Sequence, residues 1–249
     1  MIGPIEGVRR IGVAIQFLTR IPVPAVRFSD GDLRRALGAF PLVGLVVAGV
    51  GAGVRFVLIT IWDPAPATVG AVAAMILVTG GFHEDGLADT FDGLWGGRTP
   101  QERLAIMHDS RLGTYGTLAL FLVIGMQIVL LAPLAGSTFV RAVVAGAVLG
   151  RASSLPLLRW MALVPGRSAG LAGPPSTAAL VVAALTVAVT LGVAFGPGAW
   201  IPLAAAALMT ALCALVIARK LGGINGDVLG ATNRLVDVAA VASCVAISV

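Results

Sequence analysis

Charge is what this sequence has least of. Only 12% of its 249 residues are Asp, Glu, Lys or Arg, about half the ~25% typical of soluble globular domains. A water-soluble fold of this length needs a polar surface that the chain cannot supply. Lysine is nearly absent: Lys220 stands alone, and the net charge of +5 is mostly arginine. The arginines lie beside apolar runs and form no separate basic domain, which argues against a nucleic-acid partner and for the positive-inside bias of membrane proteins. Cysteine is scarce too. Cys213 and Cys244 both sit in apolar runs, without metal spacing or a disulfide framework, and read as small core residues. A cleaved leader is not expected at the N-terminus, because the apolar stretch after Arg9 and Arg10 is short and stops at Arg20, with Pro22 and Pro24 following.

What the chain has instead is apolar surface: 58% of its residues, with a mean hydropathy of +0.99. That excess must face lipid. The expected fold is all-α, a polytopic membrane helix bundle forming a single membrane-embedded domain over 1–249. Seven spans are expected at 36–62, 67–82, 114–135, 139–164, 177–195, 199–218 and about 230–249, the second running on into the segment that follows. Before them, 5–21 places Val8, Ile11, Ile15 and Leu18 on one face and Arg9, Arg10, Gln16 and Arg20 on much of the rest, the pattern of an interfacial amphipathic helix.

Orientation follows from the arginines. One set of connections holds Arg9, Arg10, Arg20, Arg27, Arg34 and Arg35, then Arg98, Arg103 and Arg111, then Arg167, then Arg219 and Lys220. The opposite set, 63–66, 133–138 and 196–198, holds no Lys or Arg, although Arg55 and Arg141 lie near it. The N-terminus is therefore expected in the cytoplasm and the C-terminus outside. This places the long segment 83–113 and the connection 219–230 on one cytoplasmic side.

Half of the twelve acidic residues fall in or beside that long segment: Glu84, Asp85, Asp89, Asp92, Glu102 and Asp109. Asp85, Asp89 and Asp92 are spaced i, i+4, i+7. At about 100° per residue they share an arc of roughly 60° on one helix face. Three like charges in register repel unless a cation neutralises them. Hard oxygen donors suit Mg²⁺ or Mn²⁺, and magnesium leaves most of its shell to substrate phosphates and water, which makes a diphosphate the natural substrate. Zinc is not expected, since His83 and His108 lack zinc-like spacing. Glu84 points to another side of such a helix and reads as ordinary surface. Thr99-Pro100-Gln101-Glu102 is a capping-box pattern that starts a second helix.

Four other elements have two readings each. Arg103 and Arg111 either fork onto phosphate oxygens or merely mark the cytoplasmic side. His108 is either a general base or incidental. The stretch Gly222-Gly223-Ile224-Asn225-Gly226-Asp227 is a turn, serving either as a plain connection or as backbone N–H groups offered to an anion. Asp227 either joins the site or caps the last helix. Arg151, inside the fourth span, is costly there and is expected to face a polar partner or a phosphate.

The segment His83-Glu84-Asp85-Gly86-Leu87-Ala88-Asp89-Thr90-Phe91-Asp92-Gly93, the stretch Asp109-Ser110-Arg111-x-Gly113-x-Tyr115-Gly116 and the late Gly226-Asp227-x-x-Gly230 resemble the cobalamin synthase family, the adenosylcobinamide-GDP ribazoletransferases. Phe17-Leu18-Thr19-Arg20-Ile21-Pro22 and Phe40-Pro41-Leu42-Val43-Gly44 match its N-terminal pattern more weakly. The resemblance runs over essentially the whole chain. It implies a multi-spanning inner-membrane transferase of the last step of vitamin B12 assembly. That step joins α-ribazole or its 5′-phosphate to adenosylcobinamide-GDP, with release of GMP and Mg²⁺ as the metal. It further implies Asp85, Asp89, Asp92 and Asp109 as metal-holding, catalytic carboxylates, one of which could instead take the hydroxyl proton. The implied substrate-binding residues are His83, Ser110, Arg111 and Asp227, with Tyr115 and Asn225 inside the matching stretches. Arg103 and Arg151 join that set on chemical grounds. Membrane lipid is an expected partner, and a homo-oligomer stays open. Two rivals remain. Asp89-x-x-Asp92-Gly93 begins the signature of CDP-alcohol phosphotransferases, but Trp95-Gly96 stands where Ala-Arg is expected, and the later Gly-x₃-Asp-x₃-Asp is absent. A small transporter would keep its polar site at the midplane, whereas here the acids are expected outside the spans.

Overall fold

The computed structural model describes residues 4–23, 31–164 and 173–247; Arg27 and Arg167, used above for orientation, lie outside them. Among the described residues the chain is helical, with one isolated parallel bridge between Leu163 and Ile224. The helices run α1 Pro4–Leu18, α2 Asp32–Ala36, α3 Phe40–Leu58, α4 Pro64–Thr79, α5 Phe82–Gly96, α6 Pro100–Met107, α7 Thr114–Leu131, α8 Gly136–Ala152, α9 Ser154–Trp160, α10 Thr177–Phe195, α11 Trp200–Lys220 and α12 Gly226–Ala246. This is the all-α bundle expected: in hydrocarbon, only a helix satisfies its own backbone polar groups within one segment.

Five helical stretches are long and apolar enough to cross a membrane: Asp32–Leu58, Thr114–Leu131, Gly136–Trp160, Thr177–Lys220 and Gly226–Ala246. Counting α4 and α5 together as one broken span makes six. The seven spans read from sequence additionally divide Thr177–Lys220 at Gly196, where φ 54 and ψ −128 interrupt the helix. Large apolar side chains stay exposed on the outer helices, among them Phe121 at 77% and Val193 at 85%. With the apolar spans, these mark an integral membrane protein.

Glycine sets the two features that position the site. At the end of α4, Gly80 and Gly81 both adopt the left-handed region, with φ 69 and 68, a conformation that costs other residues a steric clash. The chain bends by 89° there. The acidic segment therefore leaves the axis of α4 and packs against α12, α7 and α6. It was expected to lie outside the spans; instead α5 is part of the bundle. Elsewhere small residues let backbones meet. A Cβ on Gly44 of α3 would lie 2.6 Å from the Ala147 carbonyl oxygen of α8.

In α1 the face packed on the bundle is Val13, Ala14 and Leu18, with Phe17 stacked on Phe40 at 6.0 Å, and Val8 and Ile11 of the expected apolar stripe are exposed, as the lipid-facing side of an interfacial helix would be. The fourth expected span is one candidate membrane stretch, Gly136–Trp160, with a turn at Ser153, and Arg151 lies inside it. Arg55, on the face poor in basic residues, is used structurally. It donates to the Thr68 hydroxyl at 3.0 Å and the Ala132 carbonyl at 3.2 Å, and lies over the Phe139 ring at 4.1 Å.

Gly44→Ala forces α3 and α8 apart and is expected to cost about 1–3 kcal/mol. Thermal denaturation in detergent checks this, and an unchanged midpoint would show that the crossing tolerates a Cβ.

Candidate active site

The bundle covers α5 almost completely. His83, Glu84, Gly86, Leu87, Ala88, Thr90, Asp92, Gly93 and Leu94 are buried, which leaves Asp85 exposed and Asp89 half-exposed as the open carboxylates of the helix. Asp92, at the edge of the same arc, is turned toward α7. Its oxygens accept the backbone N–H of Gly113 at 2.7 Å and of Gly116 at 2.9 Å. Gly113 is the N-cap of α7 and has no side chain to cap with. Asp92 thus supplies the missing acceptor from another helix and places its negative charge at the positive end of α7. The glycine spacing has the same cause, for a Cβ on either Gly113 or Gly116 would fall 2.4 Å from an Asp92 oxygen.

The capping box is present as read: Glu102 N–H donates to the Thr99 hydroxyl at 3.2 Å, and the Glu102 carboxylate accepts from the Thr99 N–H at 3.4 Å. Arg103 is engaged with backbone, donating to the Gly97 carbonyl at 3.1 Å and the Lys220 carbonyl at 2.6 Å. Lys220 in turn donates to the Leu94 carbonyl at 2.9 Å and lies 4.3 Å from the centre of the Trp95 ring. The end of α11 therefore caps α5 with a cation, as the helix dipole favours.

Between α6 and α7 the chain is open to solvent. Ser110, Arg111 and Tyr115 are exposed, as is His108. Arg111 meets the Asp109 carboxylate through both Nε and Nη2, the latter at 2.6 Å. These hydrogen bonds hold the Asp109 carboxyl down at about 2 and raise the Arg111 guanidinium further.

The two distant motifs meet at a crossing of α5 and α12. A Cβ on Gly86 would lie 2.7 Å from the Asp227 carbonyl oxygen, and one on Gly230 would lie 3.4 Å from the His83 backbone. Asn225 caps α12, accepting from the Val228 N–H at 3.0 Å and donating to the Asp227 carboxylate at 3.1 Å. Both are buried. The stretch before them is held by backbone, with Ile224 N–H donating to Ala162 at 2.8 Å and Val164 N–H to Ile224 at 2.9 Å. His83 and Arg151 line a narrow, mostly apolar cavity with Phe17, Phe40 and Phe82, on the inner side of α5.

Glu84 corrects its sequence reading. It is buried, and its Oε1 lies 3.1 Å from Arg234 Nε. Arg234 also donates to Asp237 at 2.7 Å and to the Gln127 side-chain carbonyl, all of them buried. The charges along α5 made Glu84 look like surface; only α12 packed against it shows otherwise. Arg234 and Asp237 were missed, although both are charges inside an apolar run, the same signal that drew attention to Arg151.

The structure thus sets the Asp227 backbone against Gly86 of the helix that carries Asp85, Asp89 and Asp92. Asp109, Ser110 and Arg111 stand on the loop whose far end Asp92 pins. Among the described residues no three His, Cys, Asp or Glu side chains form a group able to hold a metal.

Asp92→Ala leaves the first turn of α7 uncapped and is expected to cost about 0.5–2 kcal/mol, checked by thermal denaturation in detergent. Asp109 has a depressed folded pKa. Whatever its pair with Arg111 contributes is complete above the ordinary carboxylate pKa of 3.8 and lost as pH falls through about 2. Arg111→Ala is expected to return the Asp109 titration toward 3.8, as read by carboxylate ¹³C NMR; a value still near 2 would refute the assignment to Arg111.

Comparison with known proteins gives the family. The family model described as Cobalamin-5-phosphate synthase matches residues 10–245. The adenosylcobinamide-GDP ribazoletransferase of Rhizobium etli (strain CIAT 652) is 40% identical, over 91% of this chain and 92% of its own length. That of Leptothrix cholodnii is 38% identical over 95% and 94%, and that of Roseiflexus sp. (strain RS-1) is 37% identical over 94% and 88%. No solved structure matches the chain. With the acidic, glycine-rich and late Gly-Asp motifs brought together at one junction and the match extending from end to end, the chain belongs to the cobalamin-5-phosphate synthase family.

Proposed function

We propose that the chain, acting as one membrane-embedded catalytic unit, joins α-ribazole or its 5′-phosphate to adenosylcobinamide-GDP and releases GMP. The observation that carries this reading is the α5–α12 crossing. It brings the backbone of the late Gly-Asp motif against Gly86, next to the exposed Asp85, in a chain aligned with ribazoletransferases over nine-tenths of its length. A ribose hydroxyl attacks the phosphorus nearest cobinamide. One P–O bond forms, the bond to GMP breaks, GMP departs with the electron pair and the hydroxyl proton passes to a base. Such transfers require positioning and charge neutralisation above all.

The donor chemistry fits Mg²⁺, with Mn²⁺ as a substitute. Asp85 and Asp89, one helical turn apart, offer the one or two carboxylates that magnesium takes beside substrate phosphates. When bound, the ion would neutralise diphosphate charge. Asp92 and Asp109, also expected as ligands, already serve α7 and Arg111, so this reading assigns them to building the site. In this reading Arg111, exposed and paired with Asp109, exchanges that partner for the leaving GMP. Arginine bias favours the cytoplasmic face of the bacterial inner membrane for this site.

Protein purified into liposomes is expected to condense α-ribazole with adenosylcobinamide-GDP in a chelator-sensitive reaction, releasing GMP and not CMP. Asp85→Asn and Asp89→Asn should each lower kcat by about 100-fold or more. Solute flux without turnover would overturn the reading.

A further inference from the structure

The close crossing that builds the site is made by backbone and apolar contacts. Gly86 lies on the Asp227 backbone, and Leu87 packs in an apolar cluster with Ala231 of α12. Apolar contacts are non-directional. Yet the function of α5 depends on its rotation. Successive residues turn by about 100°, so a modest roll carries Asp85 from the open face into a neighbouring helix.

We infer that Arg234 is a positioning residue that sets the rotation of α5 through Glu84 and so presents Asp85 and Asp89 outward, an inference that rests on the role proposed for those two carboxylates. Arg234 is itself fixed. Its Nη1 donates to Asp237 at 2.7 Å and its Nη2 to Gln127 of α7. Gln127 donates back to Asp237 at 3.4 Å. Asp237 is seated in the space left by the missing side chain of Gly146, where a Cβ would fall 2.2 Å from its Oδ1. The guanidinium is thus a post held by α7, α8 and α12. Glu84 reaches it at 3.1 Å as an ion pair, with neither Arg234 Nε nor the other Glu84 oxygen, Oε2, in a hydrogen bond among the described residues. Arg234 is accordingly the contact that orients Glu84, and Glu84 immediately precedes Asp85.

The charges support the same role. Glu84 and Asp237 balance Arg234 and Arg151, and Arg151 lies within electrostatic reach of the other three. A balanced buried set is tolerable in a bundle, but it is a poor source of stability, since desolvation offsets most of the attraction. Register is the best-attested use of such groups. The side chains that face this pair come from α5 (His83), α7 (Gln127), α8 (Arg151) and α12 (Asn233, Asp237).

The test separates positioning from mere support. Glu84→Gln keeps the shape and removes the charge, and Arg234→Lys keeps the charge and removes the fork. In Glu84→Gln, kcat should fall about tenfold with KM for both substrates changed less than about threefold, and Arg234→Lys should retain part of the lost rate. A second readout needs no turnover. Cys213 and Cys244 are buried, so Asp85→Cys can be labelled selectively with a polar maleimide. Its labelling should slow about fivefold or more when Glu84→Gln is added, because thiol reaction follows exposure. Equal labelling, or equal kcat, overturns the inference. If labelling depends on Glu84 while the wild-type protein turns nothing over, the proposed reaction falls and the positioning stands. If the wild type is active and labelling is indifferent to Glu84, the positioning falls alone.

Discussion

The backbone-to-backbone crossing of α5 on α12 is the contact on which the rest of the structure depends. It exists because Gly86 has no side chain where the helices touch; a Cβ there would fall 2.7 Å from the Asp227 carbonyl oxygen and lift α5 off α12. The bend at Gly80 and Gly81 delivers α5 to that crossing, Asp92 fastens α7 to its far flank, and Lys220 closes its C-terminal end. Each of these contacts joins a residue of the acidic segment to an element distant in sequence.

A chain with so little charge uses most of it on structure. Asp92 caps a helix, Arg103 and Lys220 satisfy terminal carbonyls, Arg55 joins three helices, and Glu84, Arg234 and Asp237 pair inside the bundle. In a low-dielectric interior an unpaired polar group is expensive, so these side chains are committed to one another. What remains open to solvent on α5 is Asp85 and, in part, Asp89. Of the six carboxylates in the acidic segment, Glu84 and Asp92 are buried, Asp85 and Glu102 are exposed, and Asp89 and Asp109 are half-exposed.

Features governed by neighbours in sequence were legible without coordinates. The capping box at Thr99 and Glu102, the turn before α12 and the apolar stretches that become spans all depend on residues within a few positions of one another; the cap of α12 was read at Asp227 and is made by Asn225. The family resemblance likewise rests on motifs read in order. The same local reasoning misjudged Glu84, since a helical wheel does not show that a second helix carries an arginine against its polar side. It also grouped Asp92 with Asp85 and Asp89 by angle alone, although α7 meets the helix at that angle.

By itself, then, the sequence determined that this is a membrane helix bundle of the cobalamin-5-phosphate synthase family with an acidic segment beginning at His83. Composition and short-range pattern are enough to specify lipid exposure, helix ends and motif order. Only the tertiary structure decided which carboxylates are buried. For Glu84 that outcome depends on Arg234, more than one hundred residues away, and for Asp92 on the first turn of α7. These encounters are set by where glycines let helices touch, a property of the packed bundle that no local stretch of the chain contains.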